Sequence, residues 1–362
     1  MDQNNQAAWR EWRARSGWLL LTAIGWVAWT FLLVSGEDPS RTWRALLVNF
    51  LFFSSLAGGL VTWSAIVVVS KGTWAGPVER LAWTGLGFAA PSVLVLAILW
   101  AGSGQWTPWN GSAYHQGFWL DNTFLFGRNV TALLVFWGTA LWYLRRRSAG
   151  RQGATFPAAA LIVAYGIVFS LVGFDLVMAL QPEWNSAIFG GYFFITGLYA
   201  AVVFWAFLAS QSRSGPEVLN DLGNLTITFS ILSGYFLFMQ LLTIWYENIP
   251  HETIYLVPRM NNPRWAAFGA VLIVLLHLSP VVLFLTAWAK RNRFFLGGVS
   301  LLLIVTLWFQ HWWLVEPGFS PAVRLGWVEI SGTAGVIGMM GLGFRIVRNL
   351  LPQIQNGTEE GP

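Results

Sequence analysis

The chain has 362 residues, of which 56% are hydrophobic and only 10% are charged. Soluble domains carry about 25% charged residues, so this composition excludes a water-soluble globular fold and indicates that lipid covers much of the exterior. The net charge is +5 and cysteine is absent, which excludes disulfides, thiolate-bound iron–sulfur clusters and thioether-linked haem. The basic residues sit in short loops and form no stripe of the kind that binds nucleic acid.

Apolar runs of about 18–25 residues predict ten membrane-spanning helices in one all-α domain over residues 1–350. In chain order they lie at 17–35, 44–70, 81–101, 120–144, 156–180, 187–210, 222–246, 265–289, 294–315 and 326–347. Two long loops, Ala101–Trp119 and Glu247–Arg264, interrupt the pattern. The polar residues 351–362 predict a loose tail.

The orientation follows from the basic residues on alternate sides of the spans. The side that carries both chain ends holds 15 Lys and Arg residues, and the side of the two long loops holds five, with Arg128 inside a span. Positive charge accumulates on the cytoplasmic side of membrane proteins. The sequence therefore predicts a bacterial cytoplasmic membrane protein with both termini in the cytoplasm.

Ionisable side chains inside membrane spans are unfavourable unless they face a partner or an interior cavity. Asp175 lies near the loop end of the fifth span and Arg128 inside the fourth. Asp175 either exchanges protons or forms a structural ion pair, and the candidate counter-ions of Arg128 are Asp175 and Glu329. We predict one buried polar path through the spans, with the members Asp121, Arg128, Asp175, Tyr235, His277 and Glu329.

Three further expectations concern single positions. Asp121 and Arg128 are seven residues apart and share a helix face, so each needs a partner on another helix. Carboxylates at span ends, Glu247, Glu316 and Glu329, are expected to be solvated. His277, near the middle of the eighth span, is either a satisfied core residue or a titrating relay group.

Redox and catalytic chemistry are not predicted for this chain. A haem with two histidine ligands needs a second His at the depth of His277, and His311 lies nearer the loop end of its span. There is no phosphate-binding Gly-Lys-Ser/Thr loop, no nucleophile with a matching base and no metal-ligand spacing. We therefore expect no redox cofactor, no metal and no complete reaction in this polypeptide alone.

Several strings in combination resemble the NrfD-like, polysulfide-reductase-type membrane subunits, and most closely the ActF-type subunits of alternative complex III. They are Asn49–Phe52, Ala57–Gly59, Trp74–Leu81, Phe174–Leu180, Trp184–Ser186, Phe189–Phe193, Asp221–Gly223 and Trp245–Pro250. The resemblance implies two four-helix bundles plus peripheral helices. It also implies a quinol-oxidising complex with a sister NrfD-like quinol-binding subunit and with periplasmic iron–sulfur and c-haem subunits.

One departure separates this chain from the quinol-binding sister subunit. That subunit carries a His six residues before its fifth-span Asp, whereas this chain has Phe169 there. A phenyl ring cannot accept a proton, so the resemblance favours a scaffold, with proton translocation as an additional hypothesis. Two alternatives stay open: an NrfD-type anchor that itself oxidises quinol, and a stand-alone secondary transporter.

Overall fold

The computed structural model describes residues 3–36, 38–76, 78–111, 114, 116–148, 153–212 and 214–350, and all regular elements among them are helical. Ten helices are long and apolar enough to cross a membrane. The prediction of an all-α membrane protein with ten spans is confirmed. We label the ten spans α1 to α10: α1 (Ser16–Ser35, within a helix that runs from Gln3 to Ser35), α2 (Pro39–Val69), α3 (Glu79–Ala101), α4 (Asn122–Ser148), α5 (Thr155–Leu180), α6 (Phe189–Gln211), α7 (Pro216–Glu247), α8 (Pro263–Leu283), α9 (Arg293–Gly318) and α10 (Trp327–Asn349).

Capping residues set several of these boundaries. The Asp38 side chain accepts from the Arg41 N–H at the start of α2, and Asn292 accepts from two N–H groups at the start of α9. Side chains of this type satisfy the free N–H groups of a first turn. The α7 helix ends at Glu247, and the next residue, Asn248, has a φ of 47°, the left-handed conformation that commonly terminates helices.

The helices form two four-helix bundles with a peripheral pair, as the resemblance implies. Helices α2–α5 make the first bundle and α6–α9 the second. The two bundles meet where α2 packs against α6 and α9 and where α5 packs against α6. Every residue of α2 from Thr42 to Ala65 is buried. The approach of α2 to α6 depends on small residues, since a Cβ on Gly59 would come within 2.7 Å of the Ala201 Cβ.

Helices α1 and α10 form the peripheral pair and run antiparallel, with Gly25 facing Gly335 and Thr22 facing Gly338. A Cβ on Gly25 would lie 2.2 Å from the Gly335 nitrogen, so glycine is required where the backbones meet. The pair covers α2 and α3. We call the end where α1 begins and α10 ends the terminal face, and the opposite end, with the α3–α4 and α7–α8 connections, the loop face.

Candidate functional site

A buried ion pair joins Arg128 of α4 to Asp175 of α5 near the loop face. The Arg128 Nε and Nη2 atoms donate to the two carboxylate oxygens of Asp175 over 2.7 and 2.6 Å. The Asn129 Nδ2 atom donates to the same carboxylate over 2.6 Å, and the Asp175 side chain is only 1% exposed. A fork of two parallel bonds is the most specific geometry that arginine offers a carboxylate. Both oxygens of Asp175 are therefore already bonded.

The turn before α4 holds the other side of the Arg128 guanidinium. Its Nη1 atom donates to the Trp119 carbonyl over 2.9 Å. The guanidinium carbon lies 3.9 Å from the centre of the Trp119 ring and 4.9 Å from that of Phe124, within the range of cation–π attraction. Of the two predicted counter-ions, Asp175 occupies this position and Glu329 does not.

Phe169 lies in the first bundle, six residues before Asp175 on α5, and its side chain is fully buried. Its ring centre is 4.5 Å from that of Tyr165 and 5.4 Å from that of Phe136. A Cβ on Gly58 of α2 would come within 2.8 Å of the ring. The position of Phe169 is thus filled by a close-packed aromatic ring with no atom that can accept a proton.

Two further ion pairs tie α2 to α9 and α10 at the loop face. The Arg44 Nε atom donates to Glu316 over 3.0 Å, and the Arg41 Nε atom donates to Glu329 over 2.9 Å. Both carboxylates are buried. The expectation that Glu316 and Glu329 are solvated is therefore wrong, because a guanidinium from α2 neutralises each of them. Glu247, by contrast, is exposed at the end of α7.

The terminal face has its own buried carboxylate, Glu79 at the start of α3. Arg147 of α4 donates to both Glu79 oxygens over 2.8 and 2.6 Å. Ser64 of α2 donates to Glu79 over 3.1 Å and lies 2.7 Å from the Tyr143 hydroxyl. This network joins α2, α3 and α4 at the end of the bundle opposite to Asp175.

The structure corrects the predicted single path. Asp121 is exposed and accepts from the Phe124 N–H, so its partner is the first turn of its own helix. Tyr235 is 55% exposed on the outer surface of α7. The His277 Nδ1 atom lies 2.9 Å from the Ser230 carbonyl, so its partner is a backbone group of α7. Only Arg128 and Asp175 of the six candidates contact each other.

Sequence reasoning did not select Asn129, Arg44, Glu79 and Arg147 as site residues. A signal for one of them was present: Arg44 stands one helical turn after Arg41, directly before an apolar run. Such a pair can extend a helix if carboxylates elsewhere neutralise it. Asn129 and Glu79 gave no such signal, since their roles depend on which helices become neighbours.

No three His, Asp or Glu side chains of the described residues converge in a way that could hold a metal ion. The expectation that this chain binds no redox cofactor stays a prediction. No protein-family model matches the sequence, and no curated protein matches it. Fold and site together define a multi-pass helical membrane protein with buried ion pairs at both ends of its first bundle.

Proposed function

We propose that this chain is an integral membrane subunit of a quinol-oxidising electron-transfer complex of the alternative complex III type, in which it serves as a scaffold. The partners would be a sister NrfD-like quinol-binding subunit and periplasmic subunits that carry iron–sulfur clusters and c-type haem. Two lines of support are the sequence strings shared with NrfD-like subunits and the arrangement of two four-helix bundles with a peripheral pair.

The observation that carries the scaffold role is that the side chains at the fifth-span site are already bonded or packed among themselves. Asp175 is bonded to Arg128 and Asn129 through both oxygens, and Phe169 is buried among aromatic rings. A base that accepts a proton from quinol must reach the reacting hydroxyl within hydrogen-bond distance. Both carboxylate oxygens are occupied, and the acceptor left without a partner is the Asn129 Oδ1 atom, an amide oxygen that is too weak a base to take a proton. This arrangement disfavours the alternative that quinol is oxidised at Asp175.

The transporter alternative lacks its usual structural sign. Many secondary transporters carry interrupted helices at corresponding positions of two repeats. Here α3 is interrupted by a 3-10 segment at Trp83–Phe88 and α8 by a π-helical turn at Val274–Leu278. These are the second helix of the first bundle and the third helix of the second, so the interruptions are not matched.

Co-purification tests the proposal. The tagged chain, extracted from its native membrane in mild detergent, should bring a second multi-pass subunit and partners with haem and iron–sulfur absorbance. A tagged, unrelated multi-pass protein from the same membrane is the control for carry-over. Purification of the chain alone, with transport activity in liposomes, would refute the proposal in favour of the transporter.

The proposed location is the bacterial cytoplasmic membrane, with the terminal face in the cytoplasm. The support is the distribution of 15 basic residues on the terminal side against five on the loop side. The chain has no native cysteine, so single variants Ser148→Cys and Asn261→Cys, both at exposed positions, report on one site each. An impermeant maleimide added to intact cells should label only the variant at residue 261. Labelling of the variant at residue 148 alone would show that the chain has the opposite orientation.

A further inference from the structure

One face of α7 lies on the outer surface of the second bundle along most of the length of the helix. Its exposed residues recur at intervals of three, four or eight, the spacing that places side chains on one side of a helix. We call this face the α7 seam and define it by the exposed residues Asn224, Thr228, Ile231, Tyr235, Phe238 and Tyr246. In a membrane the seam meets either lipid or another protein.

Tyr235 lies at the middle of the membrane on this seam. At the terminal end of α7 the Lys290 Nζ atom donates to Asn224 over 2.7 Å, and at the loop end Glu247 is exposed. Charged groups stay near water, so these two residues mark the two membrane boundaries. At 1.5 Å per residue, Tyr235 is about 17 Å from Asn224 and about 18 Å from Glu247 along the helix. Half of a hydrocarbon core is about 15 Å, so the Tyr235 hydroxyl does not reach water at either boundary.

The Tyr235 hydroxyl has no hydrogen-bond partner among the described residues. The side chain is 55% exposed, and its contact within the chain is an edge-on contact between its ring and that of Phe236. The Thr228 hydroxyl of the same seam, by contrast, donates to the Asn224 carbonyl over 2.9 Å. A hydroxyl in a medium that cannot form hydrogen bonds is strongly unfavourable. Polar side chains of membrane helices commonly find their partners on a neighbouring helix, so the seam fits a second helix better than lipid.

We propose that a transmembrane helix of a different polypeptide covers the α7 seam and accepts the hydrogen of the Tyr235 hydroxyl near the middle of the bilayer. A second copy of this chain fits less well. A two-fold axis along the seam places each Tyr235 against its own counterpart. One hydroxyl then donates to the other, and the hydrogen of the accepting hydroxyl stays unpaired in hydrocarbon. A partner helix with a carbonyl, carboxamide or imidazole acceptor at this depth leaves no hydrogen unpaired.

This inference rests on the proposed function, because it assigns the face of the scaffold on which another membrane subunit packs. The two proposals nevertheless fail separately. Co-purification of a second membrane subunit, with only lipid captured at the seam, would leave the scaffold function in place and overturn the assignment of the seam. A chain that purifies alone, but whose seam captures another polypeptide in the native membrane, would refute the stable complex and support the seam.

Photo-cross-linking in native membranes tests what covers the seam. The photoreactive residue p-benzoylphenylalanine in place of Phe238, which is 59% exposed, should join the chain to one other polypeptide, identified by mass spectrometry. The matched control carries the same residue in place of Ile167, which is 64% exposed near the middle of α5 on a face whose other exposed residues are Phe156 and Val163. It should capture lipid only. A product of twice the mass of the chain, lipid alone at residue 238, or equal capture of one polypeptide at both positions would overturn the proposal.

A pair of conservative variants tests the hydrogen bond itself. Tyr235→Phe removes only a hydroxyl that has no partner within the chain, so the fold should not change. Hydrogen bonds between membrane helices are worth about a threefold change in association on average. The Kd for the captured polypeptide, measured by dilution of the purified complex in detergent, should therefore rise about 3-fold. Tyr246→Phe is the control, since Tyr246 is 82% exposed on the same seam at the loop end, where water reaches its hydroxyl, and should leave the Kd unchanged. An unchanged Kd for Tyr235→Phe would contradict the proposed bond.

Discussion

Replacement of Asp175 by alanine should lower the free energy of unfolding by about 3–5 kcal/mol, the range found when one member of a buried ion pair is removed. The physical reason is the guanidinium that stays behind. Arg128 is 12% exposed and directs two N–H groups at Asp175, and neither lipid nor the neighbouring rings can replace both acceptors. Denaturation of the purified chain in detergent micelles measures the effect.

Two control variants test whether the unpaired Arg128 charge causes the expected loss of stability. The double variant Arg128→Met with Asp175→Leu removes both charges and should recover most of the loss, since well-packed apolar groups often replace buried pairs without penalty. Asp121→Ala removes an exposed carboxylate that caps the first turn of α4 and should cost only about 1 kcal/mol. A loss for Asp175→Ala no larger than that for Asp121→Ala would contradict the structural role.

The variant Asp175→Asn separates the structural role from proton transport. If Asp175 carries protons, the complex should assemble normally while proton release coupled to quinol oxidation in liposomes falls. The bidentate geometry favours the other outcome, because both carboxylate oxygens accept N–H bonds from Arg128 and Asn129 and a guanidinium effectively never gives up its proton. We expect lower thermal stability with an unchanged ratio of protons released to quinol oxidised.

Arg259→Ala should destabilise the chain by on the order of 3 kcal/mol, the value of two hydrogen bonds from a charged donor. Arg259 is buried in the α7–α8 connection, and no carboxylate of the described residues pairs with it. It donates to the carbonyls of Tyr255 and Leu314 over 2.6 Å each, and its guanidinium lies 3.6 Å from the Tyr255 ring centre. Desolvation lowers the pKa of the Arg259 guanidinium, and the Tyr255 and Tyr192 side chains oppose that shift.

The planar shape of the guanidinium is the feature under test. Arg259→Lys keeps the charge, but a single ammonium on a flexible stem cannot stack on the Tyr255 ring in the same way, so it should recover only part of the loss. Arg264→Ala, at an exposed position of the same region, is the matched control and should stay within about 0.5 kcal/mol of the parent. Full recovery by Arg259→Lys would refute the stacking argument.

The lengths of the hydrophobic runs predict the number and order of the spans. The predicted ends differ from the observed ones at the start of the second span and at the end of the eighth. The second span was expected to begin at residue 44, whereas α2 begins at Pro39. The sequence places Arg41 before the span and Arg44 at its first residue, with both counted among the charges of the loop side, but carboxylates from α9 and α10 neutralise them inside the helix. The eighth span was expected to reach residue 289, and α8 ends at Leu283.

The candidate site was less predictable than the fold, for a physical reason. In a soluble helix the polar face reveals which side points outward, but lipid accepts apolar side chains on every face. Tyr235 could therefore be placed at the right depth in α7, although its rotation toward the outside could not be seen. Arg128 and Asp175 were found because an ionised group in a span needs a partner whichever way its helix turns.

The buried ion pairs of α2 can form only late in synthesis, because their carboxylates lie in α9 and α10. Arg41 precedes Glu329 by 288 residues, and Arg44 precedes Glu316 by 272. Ribosomes extend chains at about 5–20 residues per second, so these arginines wait on the order of 15 to 60 s for their carboxylates. During that interval the partner available within α2 and its cap is Asp38, whose exposed carboxylate lies 3.8 Å from Arg44. The buried pairs with Glu316 and Glu329 form only when α9 and α10 are complete, and a nascent chain released after α8 would lack both of these carboxylates.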